Sequence, residues 1–187
     1  MSTRSKGAVF LDRDGTIAKV YEGRPANTVG EIELLLGVPE GMRELKDAGL
    51  RVILATNQGG IALGYMTEEV LLAMNVRLNE LLASAKASPI DAFYFCPHAP
   101  NAACHCRKPE PGMLLKAAEE LGIDLKKSYF IGDDVRDMDC AFRAGVSQRY
   151  MVVSDRYNDT PFSTVVVPAF KDAARMVALR EKARCMA

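Results

Sequence analysis

The stretch Ala8-Val-Phe-Leu-Asp-Arg-Asp-Gly-Thr16 decides the fold class. Its first four residues form a short apolar run that ends in charged residues, a pattern typical of a strand buried on both faces of a parallel sheet. Asp12 and Asp14 follow this strand two positions apart, and Gly15 permits a sharp turn into the next loop. The stretch therefore predicts a buried strand whose carboxyl end carries two carboxylates.

Short apolar runs alternate with longer helical patterns along the rest of the chain. We expect further strands over 51–55, 92–95, 128–131, 150–153 and 164–167, and helices over 38–48, 67–84, 111–121, 135–144 and 171–183. This alternation predicts right-handed crossovers and a central parallel sheet with helices on both faces. We expect one three-layer, Rossmann-like α/β domain over residues 1–187. No large cap domain is expected, because one crossover helix accounts for the range 67–89.

Length, composition and charge restrict the class of protein. The chain has 187 residues with 24 Lys+Arg and 24 Asp+Glu, and this zero formal charge argues against an extended surface for nucleic acid or anionic membrane. No apolar run approaches the ~18 residues of a membrane span, and the first residues lack the apolar stretch of a signal peptide. We therefore expect a cytoplasmic monomer that binds neither nucleic acid nor membrane.

Polar residues gather where three of the predicted strands end. The first strand leads to Asp12 and Asp14, the second to Thr56-Asn57-Gln58-Gly59-Gly60, and the fourth to Gly132-Asp133-Asp134. Ligands bind beyond the carboxyl ends of parallel strands, so these groups are expected to share one site. A lone Asp-Gly is usually a solvated turn, but acidic residues behind two separate apolar strands favour a functional site.

This set of side chains is suited to phosphoryl transfer. A carboxylate can attack phosphorus and split hydrolysis into two easier steps, and a second acid can protonate the leaving oxygen and then activate water. A threonine hydroxyl and a lysine ammonium can hold the phosphoryl oxygens, and Lys108, just before a predicted helix, supplies the ammonium. Mg²⁺ suits such a site because it prefers oxygen ligands, including one or two carboxylates.

The chain resembles the haloacid-dehalogenase (HAD) superfamily phosphatases in four motifs, which occur in the family's order: Asp12-x-Asp14-Gly-Thr16, Thr56, Lys108 and Gly132-Asp133-Asp134. The resemblance implies a HAD fold with Asp12 as the nucleophile and Asp14 as the general acid/base. It also implies that Thr56 and Lys108 bind the phosphoryl group. The implied ligands of Mg²⁺ are Asp12, the backbone carbonyl of Asp14, and Asp133.

Three of the five cysteines cluster with a histidine. The odd number of cysteines argues against a disulfide framework. The cluster offers three thiolates and one imidazole, the set that closes a structural zinc site, from Cys96, His98, Cys104 and Cys106. His105 is an alternative imidazole, but its neighbours on both sides are ligands and it is expected to point away. A zinc loop over 96–106 would fix Arg107 and Lys108 beside the active site and perform no chemistry.

The zinc loop, Thr56-Asn57-Gln58 and the stretch Arg107-Lys108-Pro-Glu-Pro-Gly112-Met113 resemble the D-glycero-D-manno-heptose-1,7-bisphosphate 7-phosphatase family. This resemblance implies a small sugar phosphate as the substrate, with hydrolysis at its 7-phosphate. It places the substrate beside Asn57, Gln58, Gly59, Arg107, Lys108 and Asp134. Gly60 and the segment 19–25 depart from the family pattern, and that segment follows the catalytic loop, where substrate contact is expected.

Other functions stay open at this point. Histidinol-phosphate phosphatases carry a similar zinc loop, and an uncapped site also leaves polynucleotide substrates open, although the zero net charge disfavours them. A phospho-acceptor signalling domain uses Asp, Thr and Lys at strand ends, but its phosphorylated Asp would follow the third strand, where this chain has Cys96-Pro97-His98. A zinc module that only binds would leave the acidic residues unexplained.

Overall fold

A computed structural model describes residues 7–154 and 160–186. Its strands are β1 (Ala8–Leu11), β2 (Arg51–Asn57), β3 (Ala92–Cys96), β4 (Tyr129–Gly132), β5 (Gln148–Val152) and β6 (Val165–Val167). Its α-helices are α1 (Val38–Asp47), α2 (Glu68–Ser84), α3 (Gly112–Leu121), α4 (Val135–Arg143) and α5 (Phe170–Met186). Two short 3₁₀ helices cover Val29–Glu31 and Leu125–Lys127.

The strands form one six-stranded sheet in the order β3-β2-β1-β4-β5-β6. Every neighbouring pair is parallel, so the predicted central parallel sheet is confirmed. The chain moves outward from β1 to β3 and then continues on the other side of β1 with β4. The sheet therefore reverses its strand order between β1 and β4, and the crevice at such a point is where α/β sheets bind ligands.

Helices cover both faces of the sheet, as predicted. Val9 and Leu11 pack in one core with residues of α1, α2 and α5. Ala8 and Phe10 point to the opposite face and pack with residues of α3 and α4. All four side chains have 0% exposure, which explains why the sequence of β1 is an unbroken apolar run.

Three strands extend beyond their predicted ends, and one of them is β4, which continues by one residue to Gly132. β2 continues to Asn57 instead of ending at Ala55, and β3 continues to Cys96 instead of Phe95. The two strands stay paired up to Asn57 opposite Cys96, so pairing with a neighbour, and not the apolar pattern, decides where they end. As a consequence Thr56 and Cys96 are held by the sheet.

The helix predicted between the second and third strands is present as α2. The side-chain oxygen of Thr67 accepts a hydrogen bond from the Val70 N–H and caps its first turn. The last helix, α5, is longer than predicted at both ends and covers Phe170–Met186. None of the helices in the described part of the chain combines the length and the apolar character needed to span a bilayer.

Candidate active site

A cleft of about 460 Å³ lies beyond the carboxyl ends of β1, β2 and β4. Most of the site residues predicted from the sequence line it. They are Asp12, Asp14, Thr56, Asn57, Gly59, Arg107, Lys108 and Asp134. The predicted segment 19–25 also reaches the cleft, through Arg24 and Pro25. The fold thus brings residues from separate parts of the chain to one crevice at the reversal of strand order.

Lys108 lies at the bottom of the cleft between two carboxylates. Its Nζ donates to Oδ1 of Asp12 at 2.6 Å and to the Ala55 carbonyl at 2.8 Å, and it lies 2.6 Å from Oδ1 of Asp137. Burial alone would lower the pKa of Lys108, but the two carboxylates outweigh this effect and raise the pKa above its ordinary value. Lys108 is therefore a fixed cation at the end of β1.

Asp12 follows β1 directly and is 7% exposed. Its Oδ1 accepts the hydrogen bond from Lys108, whereas its Oδ2 accepts none from the residues in 7–154 and 160–186. The carboxylate is thus held on one side and open on the other, toward the cleft that it lines. This arrangement leaves one oxygen free to reach a substrate or a metal ion.

Asp137 is a site residue that the sequence reasoning missed. It lies in the first turn of α4, is 2% exposed, and its Oδ2 accepts a hydrogen bond from the Asp134 N–H at 3.2 Å. Burial raises the pKa of Asp137 to about 7, against the lowering effect of Lys108. The available signal was an acidic residue three positions after Asp134, which is a capping-box pattern in which the side chain turns back toward the start of the helix.

Carboxylate oxygens of Asp12, Asp133 and Asp137 lie within 4.8 Å of one another. Asp133 is fully buried, and its two oxygens accept hydrogen bonds from the hydroxyls of Thr16 at 3.1 Å and Ser154 at 3.0 Å. Three carboxylates this close repel one another, and a cation relieves that repulsion. Because Mg²⁺ prefers carboxylate ligands, the residues present fit a magnesium ion.

The end of β2 supplies Thr56 and Asn57. The Thr56 hydroxyl accepts a hydrogen bond from Gln58 Nε2 at 2.8 Å and keeps its own hydrogen for another acceptor. Asn57 exchanges two hydrogen bonds with the backbone of Lys108, donating to its carbonyl at 3.1 Å and accepting from its N–H at 3.0 Å. Asn57 thus lines the cleft and its amide fixes the segment that carries Lys108, while its contact with the substrate stays a prediction.

Gln58 differs from the expectation that it contacts substrate. Its side chain is 1% exposed and does not line the cleft. Its Nε2 donates to Oδ2 of Asp14 at 2.9 Å as well as to Thr56, and its Oε1 accepts from Nη2 of Arg13 at 3.0 Å. Because these contacts occupy the amide, we correct the expectation: Gln58 supports Asp14 and Thr56 from behind.

The four predicted zinc ligands meet at one point. Sγ of Cys104 lies 3.7 Å from Sγ of Cys96 and 3.8 Å from Sγ of Cys106, and Nδ1 of His98 lies 3.3 Å and 3.4 Å from the sulfurs of Cys106 and Cys96. Zn–S bonds of about 2.3 Å in a tetrahedron separate two sulfurs by roughly 3.8 Å, so this set fits zinc. His105 is exposed and lies outside the cluster, as expected.

The zinc loop also holds Arg107. Its Nη1 donates to the backbone carbonyl of His98 at 3.2 Å, so one of the predicted zinc ligands anchors the guanidinium at the wall of the cleft. Gly59 leaves room for this contact, because a Cβ there would lie 3.2 Å from Nη1 and 3.0 Å from the same carbonyl. Substrate groups at this wall would meet a planar cation with several donors.

Two further arginines line the cleft, and each has a carboxylate partner. Arg24 donates to both oxygens of Glu31 at 2.6 and 3.2 Å, and its hydrogen bond lowers the pKa of Glu31 to about 2. Arg136 donates to both oxygens of Asp134 at 2.9 and 2.5 Å. Asp134 also accepts a hydrogen bond from the Arg136 N–H and so caps α4. The side chain that was predicted to lie beside the substrate therefore also stabilises the start of this helix.

Comparisons with known proteins identify the family of this chain. A family model described as HAD-hydrolase-like matches residues 105–173. The chain is 41% identical over 157 residues to D-glycero-β-D-manno-heptose-1,7-bisphosphate 7-phosphatase of Yersinia pestis, covering 80% of this chain and 82% of the relative. It is 40% identical over 156 residues to the protein of the same name from Escherichia coli K12, covering 80% of each. The crystal structure of D,D-heptose 1,7-bisphosphate phosphatase from B. bronchiseptica, complexed with magnesium and phosphate, has a TM-score of 0.84 at 29% identity and covers 93% of this chain and 99% of that one.

Proposed function

The chain belongs to the D-glycero-β-D-manno-heptose-1,7-bisphosphate 7-phosphatase family of the HAD-like hydrolases, and from this premise we propose that it removes the 7-phosphate of a heptose 1,7-bisphosphate. It is a phosphatase that hydrolyses phosphate esters. The observation that carries the substrate proposal is the position of Asp12. Its carboxylate is 2.6 Å from Lys108 and opens to a cleft whose wall holds Arg24, Arg107 and Arg136.

The first half of the reaction breaks the ester. Oδ2 of Asp12 attacks phosphorus, the bond from phosphorus to the C7 oxygen breaks, and Asp14 gives its proton to that oxygen as it leaves. Lys108 and the Thr56 hydroxyl hold the equatorial phosphoryl oxygens, where charge gathers in the transition state. The products of this half are a heptose 1-phosphate with a free C7 hydroxyl and an aspartyl-phosphate on Asp12.

The second half restores the enzyme. Asp14, now a carboxylate, takes a proton from a water molecule that attacks the aspartyl-phosphate. The bond from phosphorus to Asp12 breaks and releases inorganic phosphate. Mg²⁺, held by Asp12, Asp133 and the backbone carbonyl of Asp14, would offset the negative charge that the phosphoryl oxygens share with the carboxylates.

Two features of the cleft support a bisphosphate that is cut at C7. The attacking carboxylate of Asp12 and its partner Lys108 are only 7% and 3% exposed, so a phosphoryl group on an extended CH₂–O arm reaches them more readily than one attached to the ring. The guanidinium of Arg107 donates only to a backbone carbonyl among the described residues, whereas those of Arg24 and Arg136 pair with carboxylates. Arg107 is therefore the cation best placed for a second phosphate. The positive charge of histidinol phosphate would be repelled by the guanidinium of Arg107.

We further propose that the enzyme works as a monomer in the cytoplasm. Asp12, Asp14, Thr56, Lys108 and the three arginines all line one cleft of a single chain. The five cysteines are free thiols, three of them in the proposed zinc site, and thiols of this kind persist in reducing compartments. Light scattering of the purified protein tests the monomer, and a dimer that places a residue of its partner in the cleft would contradict it.

The substrate proposal is tested by kcat/KM with Mg²⁺ on four esters: both anomers of D-glycero-D-manno-heptose 1,7-bisphosphate, histidinol phosphate and a simple hexose monophosphate. We expect one of the bisphosphates to exceed the other classes by at least about tenfold, which corresponds to ~1.4 kcal/mol of transition-state binding. A higher kcat/KM for histidinol phosphate than for either bisphosphate would overturn the substrate, while the roles of Asp12 and Asp14 would stand.

A further inference from the structure

Arg13 lies between Asp12 and Asp14 in the sequence, and the reaction described above gives it no role. Its side chain has 0% exposure and does not line the cleft. Arginine is almost never fully buried unless it is paired. Its Nη1 is also buried without a hydrogen-bond partner in the described part of the chain, which is unfavourable for a charged group. The contacts that this arginine does make therefore need an explanation.

Those contacts converge on Asp14. Nε of Arg13 donates to Oδ1 of Asp14 at 3.0 Å, and Nη2 donates to Oε1 of Gln58 at 3.0 Å. Nε2 of Gln58 in turn donates to Oδ2 of Asp14 at 2.9 Å. The three side chains form a closed ring of hydrogen bonds in which each oxygen of the Asp14 carboxylate is held by a different donor.

This ring fixes the orientation of the carboxyl group, because each of its two oxygens accepts a hydrogen bond from a different side chain. Asp14 is 6% exposed and lines the cleft, so the carboxyl group that the ring holds lies at the side where the substrate binds. Proton transfer requires hydrogen-bond reach of the leaving oxygen, and a displacement of about 1 Å can reduce the rate by ~10²-fold.

We propose that Arg13 is a positioning residue for proton transfer, which holds the Asp14 carboxyl group toward the leaving-group oxygen through its hydrogen bonds to Asp14 and Gln58. Arg13 keeps its own protons throughout, and the proton that moves is the one on Asp14. The inference rests on the acid/base role proposed for Asp14. If Arg13 had a merely structural role, its substitution would instead reduce the stability of the protein and the hydrolysis of every ester alike.

The leaving group distinguishes the two roles. An alkyl phosphate such as the sugar ester needs a proton on its leaving oxygen, whereas p-nitrophenyl phosphate releases a stabilised aryloxide that needs none. The experiment measures kcat/KM on both esters, because this ratio reports only the steps up to ester cleavage. The variants are Arg13→Met, Asp14→Asn and the double variant. Arg77→Met is the matched control, because Arg77 is a half-exposed arginine of α2 whose ion pair with Glu80 lies outside the cleft.

We expect Arg13→Met to reduce kcat/KM for the sugar ester by about 10- to 100-fold, within the range of proton-transfer contributions, and for the nitrophenyl ester by less than about threefold. In the Asp14→Asn background the Arg13 substitution should cause no further loss, because the two residues act as a unit. Arg77→Met should match the unmodified enzyme on both esters.

Equal loss on both esters in a folded Arg13→Met protein, or full additivity with Asp14→Asn, would overturn the inference. Arg13→Lys keeps a buried cation beside Asp14 and, if it folds, must show the same selectivity between esters. Gln58→Met removes the other arm of the ring without removing a charge; because Gln58 also contacts Thr56, it should lower kcat/KM for both esters but must lower it more for the sugar ester. If Asp14→Asn itself hydrolyses the sugar ester normally, the acid/base role fails. If Asp14→Asn is selective and Arg13→Met is not, only the positioning role fails.

Discussion

The ammonium of Lys108 lies 2.6 Å from the carboxylate of Asp137, and both side chains are almost completely buried. The same ammonium lies 2.6 Å from Asp12, so two carboxylates share one buried cation. Removal of one partner from a buried ion pair usually costs about 3–5 kcal/mol, but here the second carboxylate stays with the cation. Asp137 is therefore expected to set the position of Lys108 more than it sets the stability of the fold.

Asp137→Asn should reduce kcat by about 10²-fold, because a displaced Lys108 no longer stabilises charge on the phosphoryl group. The amide keeps the shape of the side chain, so circular dichroism should show a folded protein. Asp139→Asn is the matched control on the same helix, since Asp139 pairs with Arg143 away from the cleft. A normal kcat in Asp137→Asn would show that the contact has no part in the reaction.

Asp12→Asn should abolish turnover and leave the fold intact, because an amide cannot serve as the anionic nucleophile. Steady-state release of phosphate measures the first effect and thermal unfolding the second. Asp47→Asn, at the end of α1 and outside the cleft, is the control. Retention of more than about a tenth of the activity by Asp12→Asn would be incompatible with a covalent intermediate on this residue.

Cys104→Ser should lower the melting temperature and raise KM together. A serine hydroxyl is a poor replacement for a thiolate on zinc, and the loop that loses its metal also carries the His98 carbonyl that anchors Arg107. Metal analysis of the unmodified protein should give about one zinc per chain, and Cys185→Ser, outside the cluster, should retain it. Protein purified without chelator that contains no zinc would refute the assignment.

Arg107→Ala should raise KM for the bisphosphate far more than for a hexose monophosphate, because the monophosphate offers no second phosphate to the guanidinium. We expect a factor of about ten or more for the bisphosphate, as for a lost charge-assisted hydrogen bond. The control is Arg43→Ala, which removes an arginine that pairs with Glu40 on the surface of α1. Equal increases for the two substrates would place the second phosphate elsewhere.

The positions of the chemistry-bearing residues along the fold could be predicted from the sequence. Asp12 and Asp133 follow apolar runs that the structure confirms as β1 and β4, and parallel strands bring their carboxyl ends to the same edge of the sheet. Cys96 and His98 could be grouped with Cys104 and Cys106, because the spacing of these residues indicates a metal cluster.

The directions of the side chains could not be predicted in the same way. Gln58 lies between Asn57 and Gly59, which both line the cleft, yet its own amide points to Asp14 and Arg13. Neighbours in sequence at the end of a strand face opposite sides, and only packing shows which side is the cleft. Asp137 was missed for a related reason. The capping-box pattern indicates that its side chain turns back along α4, but the contact with Lys108 joins residues 29 positions apart and depends on how the fold packs.

The central claim is that this chain removes the phosphate from C7, and phosphorus NMR of the reaction with D-glycero-D-manno-heptose 1,7-bisphosphate tests it most directly. We expect that the resonance of the C7 ester disappears, that inorganic phosphate appears in equal amount, and that the resonance at C1 persists in the product. Loss of the C1 resonance with retention of the C7 ester would contradict it.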